Sequence, residues 1–297
     1  VVDIYNGHTD VYGIIGNPIE HSFSPILQNT VASAMSENAS YLPFRVDNDN
    51  VEAAIKGAYA LGIKGLNITV PYKKTVMNYL YDIDDTAKTI GAVNTLKWTE
   101  NGYAGYNTDI LGFGKSCDIN GIRIKDKKVM LLGAGGAANA VSILTANRGA
   151  KEIIIVNRTK EKAEKLKKLV LSTGYSGEIK VIGYSDIKNN AADILINATS
   201  VGMGKDRDNS PLDGYVDTDF LNNVSYCIDV IYIPWETKFL RYAKECGCKT
   251  VNGFDMLIFQ GIASFEIWHE RHIENSTAKE LRDSLAKYFI EVSGGQC

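Results

Sequence analysis

Val129 to Ala146 is a run of 18 residues without a charged side chain, and three of them are glycines gathered in "LLGAGGAANA". An uncharged run of that length could cross a bilayer as one helix, but Gly133, Gly135 and Gly136 break it. It reads instead as a strand, "VMLL", a tight turn, and a helix, "ANAVSILTA". Gly133, Gly135 and Ala138 fit the spacing G-x-G-x-x-A. The first glycine permits the turn, the second lets the backbone approach a pyrophosphate, and the alanine is small enough for close helix–strand packing. The phosphates would lie at the helix N-terminus, where free N–H groups and the helix dipole favour an anion.

The next apolar run, "EIIIVN", stops at Asn157-Arg158-Thr159, and Lys160 and Lys162 follow. A chain that grips NAD at this point places an acid there, on a ribose hydroxyl. An acid would repel a 2′-phosphate, whereas Arg158 would pair with it, and Asn157 and Thr159 can donate hydrogen bonds. The cluster therefore reads as a selector for NADP(H). A second reading makes Thr159 the cap of the helix "KEKAEKLKKLV", with the lysines its solvated face; both can hold at once.

Around this turn the chain alternates strands and helices. The 297 residues make two domains at roughly 150 residues each. "VYGIIG", "YLPFRV" and "GLNITV" read as strands, separated by a helix from "SPILQNTVASAM" and a second one marked by Val51, Ala54, Ile55, Ala58 and Leu61. Ser24 is expected to cap the first helix, with Pro25 at its first position. "AVNTLKWTENGYAGYN" predicts a hairpin turning at Asn101-Gly102. "NTDILGFGKSC" opens a helix, and the polar stretch "DINGIRIKDKK" marks the domain boundary. Beyond it "VMLLG", "EIIIVN", "IKVIG", "DILIN" and "SYCIDVI" read as strands, and two helices near 254–271 and 276–292 finish the chain. This predicts α/β architecture, with a mostly parallel N-terminal sheet and a second, doubly wound one.

A net charge of −3 and a pI near 5.9 argue against nucleic acid or an anionic membrane as the partner. "VVDIYNGHTD" shows no signal-peptide pattern, and the odd, scattered set Cys117, Cys227, Cys246, Cys248 and Cys297 fits reduced thiols in a cytoplasm. Cys246-Gly-Cys248 lacks the second pair a metal would need and reads as a thiol at a helix end. "HERH", with His269 and His272, reads as an exposed helix end, and no metal is expected.

Polar clusters stand where strands end, which is where open α/β sheets bind ligands. Ser22 and Ser24 in "HSFSP" offer two hydroxyls suited to a carboxylate, against the plainer reading of Ser24 as a cap. In "NITVPYKK", Thr69 ends a strand and Lys73 follows Pro71, in what reads as the first turn of a helix, whose dipole would push a lysine towards proton transfer. The plainer reading is a solvated lysine pair. Asn94 lies inside an apolar strand, Asp109 is a candidate ligand or a helix cap, and Gln260 interrupts the stripe of Met256, Ala263 and Ile267. A buried amide there needs a partner, in the core or in a ligand.

"SFSP", "NITVPYK", "GAVNT", "GYNTD", "GAGGAA", "NRT", "NATSVGM" and "DMLIFQG", in this order, resemble the shikimate dehydrogenase family over about residues 11–290. The resemblance implies reversible reduction of 3-dehydroshikimate to shikimate by NADPH. It implies a substrate domain over residues 1–117, completed by helices over about 254–297, and a Rossmann NADP-binding domain over 118–253. Lys73 and Asp109 would be the catalytic pair. Ser22 and Ser24 would hold the carboxylate, Thr69, Asn94, Tyr232 and Gln260 would bind polar groups of the substrate, and Asn67 would line the pocket. Gly133, Ala134, Gly135, Gly136, Ala137 and Ala138 would bind the pyrophosphate. Asn157, Arg158, Thr159 and Lys162 would hold the ribose phosphate. Thr199, in "NATSVGM", would also touch the cofactor, and Val230 and Gly253 would border the nicotinamide. Many members have His-Asn in the first helix where this chain has Gln28-Asn29. "FRVDNDNVEAAIKG" with "LQN" also resembles the quinate/shikimate branch, which accepts quinate and often NAD, although that branch tends to place an acid after the arginine. A dual-specificity enzyme is the alternative within the family. A non-catalytic NADPH-sensing module is the alternative outside it. Either a monomer or a homodimer is compatible with these features.

Overall fold

The computed structural model describes residues 5–292; Cys297 lies outside them. The chain forms two compact units, one running through Leu111 and including Ile258–Leu285, the other made of Gly112–Leu257 and the chain from Ala286 on.

In the first unit, β1 (Asp10–Gly16), α1 (Ser24–Ala34), β2 (Ala39–Arg45), α2 (Val51–Ala60) and β3 (Gly65–Ile68) follow one another as the alternation predicts. β4 (Asp82–Ile83), α3 (Asp85–Ile90), β5 (Thr95–Thr99) and β6 (Gly102–Tyr106) complete the sheet, in the order β2-β1-β3-β5-β6-β4. β1 pairs in parallel with β2 and β3, while β5 and β6 form an antiparallel hairpin. Its loop is Glu100-Asn101, one residue earlier than expected, because Thr99 pairs with Gly102. Gly102 is already strand, at φ 138, and a Cβ there would stand 2.8 Å from Cβ of Tyr81. β4 and α3 carry too few residues to show a period. β4 exists through its pairing with β6, and α3 through the cap that Asp84 offers to the N–H groups of Thr86 and Ala87.

α4 (Asp109–Ile119) leads into the second unit. There β7 (Lys128–Leu132), α5 (Gly136–Asn147), β8 (Glu152–Val156), α6 (Lys160–Ser172), β9 (Glu178–Ile182), β10 (Ile194–Asn197), β11 (Tyr226–Asp229), α7 (Lys238–Glu245) and β12 (Lys249–Val251) build a parallel sheet in the order β12-β11-β10-β7-β8-β9. In chain order this is 3-2-1-4-5-6, the doubly wound arrangement whose ligand crevice opens where the order reverses, beside β7. The central strands β7, β8 and β10 are almost wholly apolar because both faces are covered. Val129, Leu131, Ile153 and Ile155 join one buried cluster, and the alternate residues Met130, Leu132, Ile154 and Val156 join another. β12, only three residues long, is too short to be read in the sequence.

α8 (Phe254–His269) begins in the second unit and ends in the first; α9 (Asn275–Val292) runs the other way. Among the described residues no helix is long and apolar enough to cross a membrane.

Candidate active site

In the first unit, Lys73 and Asp109 meet. Lys73 Nζ donates to Asp109 Oδ2 at 2.6 Å, with side chains only 22% and 9% exposed. This excludes the reading of Lys73 as part of a solvated pair. It also overturns the helix-dipole argument: Lys73 lies in a turn before a short 3₁₀ helix, Thr75–Tyr79, so no α-helix starts beneath it. The carboxylate, not a dipole, sets its environment. Asp109 opens α4, but the local turn is made by Asn107, whose Oδ1 accepts from the Asp109 N–H at 3.1 Å; the Asp109 carboxylate faces the site instead.

Asn94 completes this arrangement. It lies just before β5 rather than inside a strand. The Thr108 N–H donates to Asn94 Oδ1 at 2.8 Å, which fixes which way the amide points. Asn94 Nδ2 therefore donates to Asp109 Oδ1 at 2.9 Å and reaches Gln260 Oε1 at 3.4 Å. Asn67, on β3, donates to Thr95 Oγ1 and to Ser264 Oγ. Thr69 follows β3, its N–H donating to Ile15 O. Thus Asn67, Lys73, Asn94, Asp109 and Gln260 form one hydrogen-bonded neighbourhood. Thr95, Thr108 and Ser264 are fully buried members of it that a sequence reading passes over. The two threonines stand inside "GAVNT" and "GYNTD", and Ser264 lies one helical turn after Gln260, which is the signal that could have found them.

Ser24 is not the cap of α1. Phe23 holds that position and makes no side-chain cap bond, so Ser24 is helical and its hydroxyl is not engaged in capping. Ser22 Oγ accepts from the Ser24 N–H at 3.3 Å.

In the second unit, a groove of about 470 Å³ is lined by Gly133, Ala134, Gly135, Asn157, Arg158, Thr159, Lys162 and Thr199, among others. Gly133 has φ +106, and a Cβ on it would press on Ala198 O and Thr199 Cγ2 at 3.0 Å. Nothing would meet a Cβ on Gly135 or Gly136, so that face is open to a ligand backbone. Gly136 begins α5 without any side-chain cap, Ala137 follows it, and Ala138 is buried against the sheet. Thr159 occupies the cap position of α6 but makes no side-chain cap bond. Asn157 Nδ2 donates to Thr159 O at 2.8 Å, so this amide shapes the loop. Arg158 and Lys162 are exposed at its rim. Open N–H groups at one end and a cation at the other fit a dinucleotide carrying an extra phosphate.

Val230 and Gly253 come together nearby, the Gly253 N–H donating to Ile231 O at 2.9 Å. Tyr232 also belongs to the second unit, its ring 6.1 Å from that of Phe289. Beside them lies Asp229, wholly buried on β11 and missed in the sequence, although a lone acid in "SYCIDVI" was the clue. Its carboxylate accepts from Asn197 Nδ2, the Ile231 N–H and Thr237 Oγ1, but burial dominates and pushes its pKa up to about 6. An unfolded aspartate titrates near 3.8. The folded state therefore holds this proton to higher pH, and the stability it contributes, complete below the unfolded value, is lost as pH rises through about 6. Relative to Asp229→Asn, the wild type should lose about 2 kcal/mol of unfolding free energy between pH 4 and 6. Denaturant titrations of both proteins across that range measure the difference. A constant difference would mean that the carboxyl ionises normally.

His269 corrects another expectation. It is not exposed: its ring stacks on Phe265 at 4.1 Å and lies near Tyr12, and burial lowers its pKa. His272 is exposed, beside Glu266. Cys246 caps the end of α7, while Cys248 is buried against Cys227 and Leu221 O. Among the described residues no group of three or more His, Cys, Asp or Glu side chains could hold a metal ion.

Residues 14–96 match the family described as shikimate dehydrogenase substrate binding domain, and residues 117–203 that described as shikimate / quinate 5-dehydrogenase. A shikimate dehydrogenase (NADP(+)) of Methanocaldococcus jannaschii is 43% identical over 266 residues, covering 89% of this chain and 92% of that one. A crystal structure of shikimate 5-dehydrogenase from Listeria monocytogenes, in complex with shikimate and NAD, matches with a TM-score of 0.87 at 31% identity, over 96% of this chain and 99% of that one. One from Thermus thermophilus, in complex with NADP(H) and shikimate, matches with a TM-score of 0.81 at 28% identity, over 93% and 99%.

Proposed function

The chain belongs to the shikimate dehydrogenase family, and we propose on that premise that it catalyses the reversible, NADPH-dependent reduction of 3-dehydroshikimate to shikimate, a step of aromatic amino-acid biosynthesis. The first unit binds the substrate and the second the cofactor. One observation carries the assignment of roles: the Lys73–Asp109 pair at 2.6 Å, steadied by Asn94 on the other carboxylate oxygen.

When bound, NADPH supplies the hydride; the chain supplies position, field and a proton. A carbonyl carbon that gains hydride leaves negative charge on its oxygen. The Lys73 ammonium stabilises that charge and hands over a proton, which solvent returns to the partly exposed amine. In the oxidation direction Lys73 takes the hydroxyl proton. Asp109 keeps the ammonium aimed and accepts from a neighbouring substrate hydroxyl. Thr69, Asn94, Tyr232 and Gln260 bind the ring's polar groups or its carboxylate, and Asn67 lines the pocket. Ser22 and Ser24 donate to the carboxylate. Gly133–Ala138 and Thr199 hold the pyrophosphate side of the cofactor, Arg158 with Asn157, Thr159 and Lys162 its ribose phosphate, and Val230 and Gly253 border the nicotinamide. A reaction that consumes NADPH also fits a cytoplasmic setting.

A cofactor-sensing module would need the groove but not the buried Lys73–Asp109–Asn94 assembly. Steady-state assays pairing shikimate or quinate with NADP+ or NAD+ test the reading. Shikimate with NADP+ should exceed every other pairing in kcat/KM by at least about tenfold. A preference for quinate with NAD+ would reverse the choice of substrate and cofactor, and no turnover in any pairing would favour the sensing module.

A further inference from the structure

Asp229 is wholly buried, yet its carboxylate is the point at which two walls of the proposed cofactor site are fastened. It pairs in register with Asn197, the two standing at the C-terminal ends of the neighbouring parallel strands β11 and β10. Asn197 Oδ1 accepts from the Thr199 N–H at 3.0 Å and from Thr199 Oγ1 at 2.7 Å. A backbone N–H can only donate, so this fixes which way the amide points. Asn197 Nδ2 then donates to Asp229 Oδ1 at 3.1 Å and to Val201 O at 3.2 Å. Both hydrogens and both lone pairs of the amide are thus used. Together they hold the loop of residues 198–201, which lines the groove.

The same oxygen of Asp229 reaches the second wall. Oδ1 also accepts from the Ile231 N–H at 3.0 Å, and Ile231 O accepts from the Gly253 N–H at 2.9 Å. The Val230 N–H donates to Asn197 O at 3.0 Å. Gly253 stands so close that any Cβ on it would run into the Val230 carbonyl. The other carboxylate oxygen has a different duty. Oδ2 accepts from Thr237 Oγ1 at 2.8 Å, and Thr237 caps α7 by accepting from the Leu240 N–H. One carboxylate therefore has two arms: Oδ1 ties the groove loop to Val230 and Gly253, and Oδ2 ties down α7. Buried bonds of this kind have little slack, because each displaced member leaves a partner unsatisfied.

We infer that Asp229 is a positioning residue for the cofactor, its Oδ1 holding the 198–201 loop and the Val230–Gly253 pair at one fixed separation. The dinucleotide lies across both, with Thr199 on its pyrophosphate side and Val230 and Gly253 at its nicotinamide. Walls set beforehand need no ordering when the ligand arrives, and they decide how well the hydride-bearing ring is placed. The inference rests on the proposed roles of Thr199, Val230 and Gly253.

The test sets the two arms against each other. Asp229→Ala removes both and Thr237→Val only the second; each leaves buried polar groups unpaired, so both should melt at lower temperature than wild type. Only Asp229→Ala should weaken NADPH, by about tenfold in Kd from calorimetric titration, with kcat down about tenfold and KM for shikimate within about twofold. Thr237→Val should keep the Kd within about twofold, and so should Asp229→Asn, whose Oδ1 still accepts from Asn197 and Ile231. Asn197→Ser cuts the first arm from its other end and should repeat the loss, which keeps the test open if Asp229→Ala fails to fold. Equal weakening by Asp229→Ala and Thr237→Val would reduce the carboxylate to general support of the fold and overturn the inference, as would an unchanged Kd in a folded Asp229→Ala or Asn197→Ser. Gly253→Ala, which presses on the Val230 carbonyl, separates the two levels. If it weakens NADPH and Asp229→Ala does not, the positioning role alone falls. If neither does, the placement of the nicotinamide at this wall falls and the inference with it.

Discussion

Replacing Lys73 with methionine should lower kcat by about a thousandfold while shifting the KM for shikimate by less than about threefold. Methionine keeps the unbranched stem and removes only the ammonium, so the turn after β3 has no steric reason to move. What disappears is a charge that matters chiefly when the carbonyl oxygen becomes an alkoxide. An interaction made mainly in the transition state shows in kcat, and three decades correspond to about 4 kcal/mol of barrier. The loss has a floor, because hydride transfer can still be positioned by the groups around it. Asp109→Asn is the companion. It keeps the shape but presents an amide where Lys73 Nζ and Asn94 Nδ2 both arrive as donors, so one of the three must be left badly paired. It should cost about a hundredfold in kcat. If Lys73→Met turned over within tenfold of wild type, the proton and the field would have to come from elsewhere, and the role given to the pair would be wrong.

The sequence disclosed these two residues through their company rather than through any property of their own. Lys73 beside Lys74 has the look of a solvated pair, and the helix-dipole argument pointed to the right residue for a wrong reason: the helix is absent, and a carboxylate 36 positions away does the work. Long-range pairing of that kind leaves no local trace. The second sheet was easier to read, because strands buried on both faces write themselves as unbroken apolar runs, whereas β4, α3 and β12 are shorter than any period. Tyr41 was illegible for a related reason. An aromatic residue in a strand reads as ordinary core, and only its partner Asn67 reveals that its oxygen matters. Asn157 shows the converse. Its residue type suggested a phosphate donor, but one of its two amide hydrogens is engaged by the loop itself.

Reversing the charge at Arg158 should change cofactor choice more than any other single substitution. Arg158 is exposed at the rim of the groove, and Lys162 lies beside it in the same lining. Arg158→Glu removes a cation that pairs with a ribose phosphate and installs the acid that would grip a bare ribose hydroxyl. A charge-assisted contact contributes about 1.5–3 kcal/mol, and like-charge repulsion adds to its loss. Together they should lower kcat/KM for NADPH by about 10²–10³-fold. The same parameter for NADH should stay within about threefold or rise, since NADH has no 2′-phosphate to lose. Exposure supplies a second signature. Surface charges are screened over about 8 Å at physiological ionic strength, so the wild-type preference for NADPH should shrink as salt is added. The variant should respond weakly, and Arg158→Gln should fall between the two. Proportionate losses with both cofactors, at every salt concentration, would mean that the arginine maintains the loop and selects nothing.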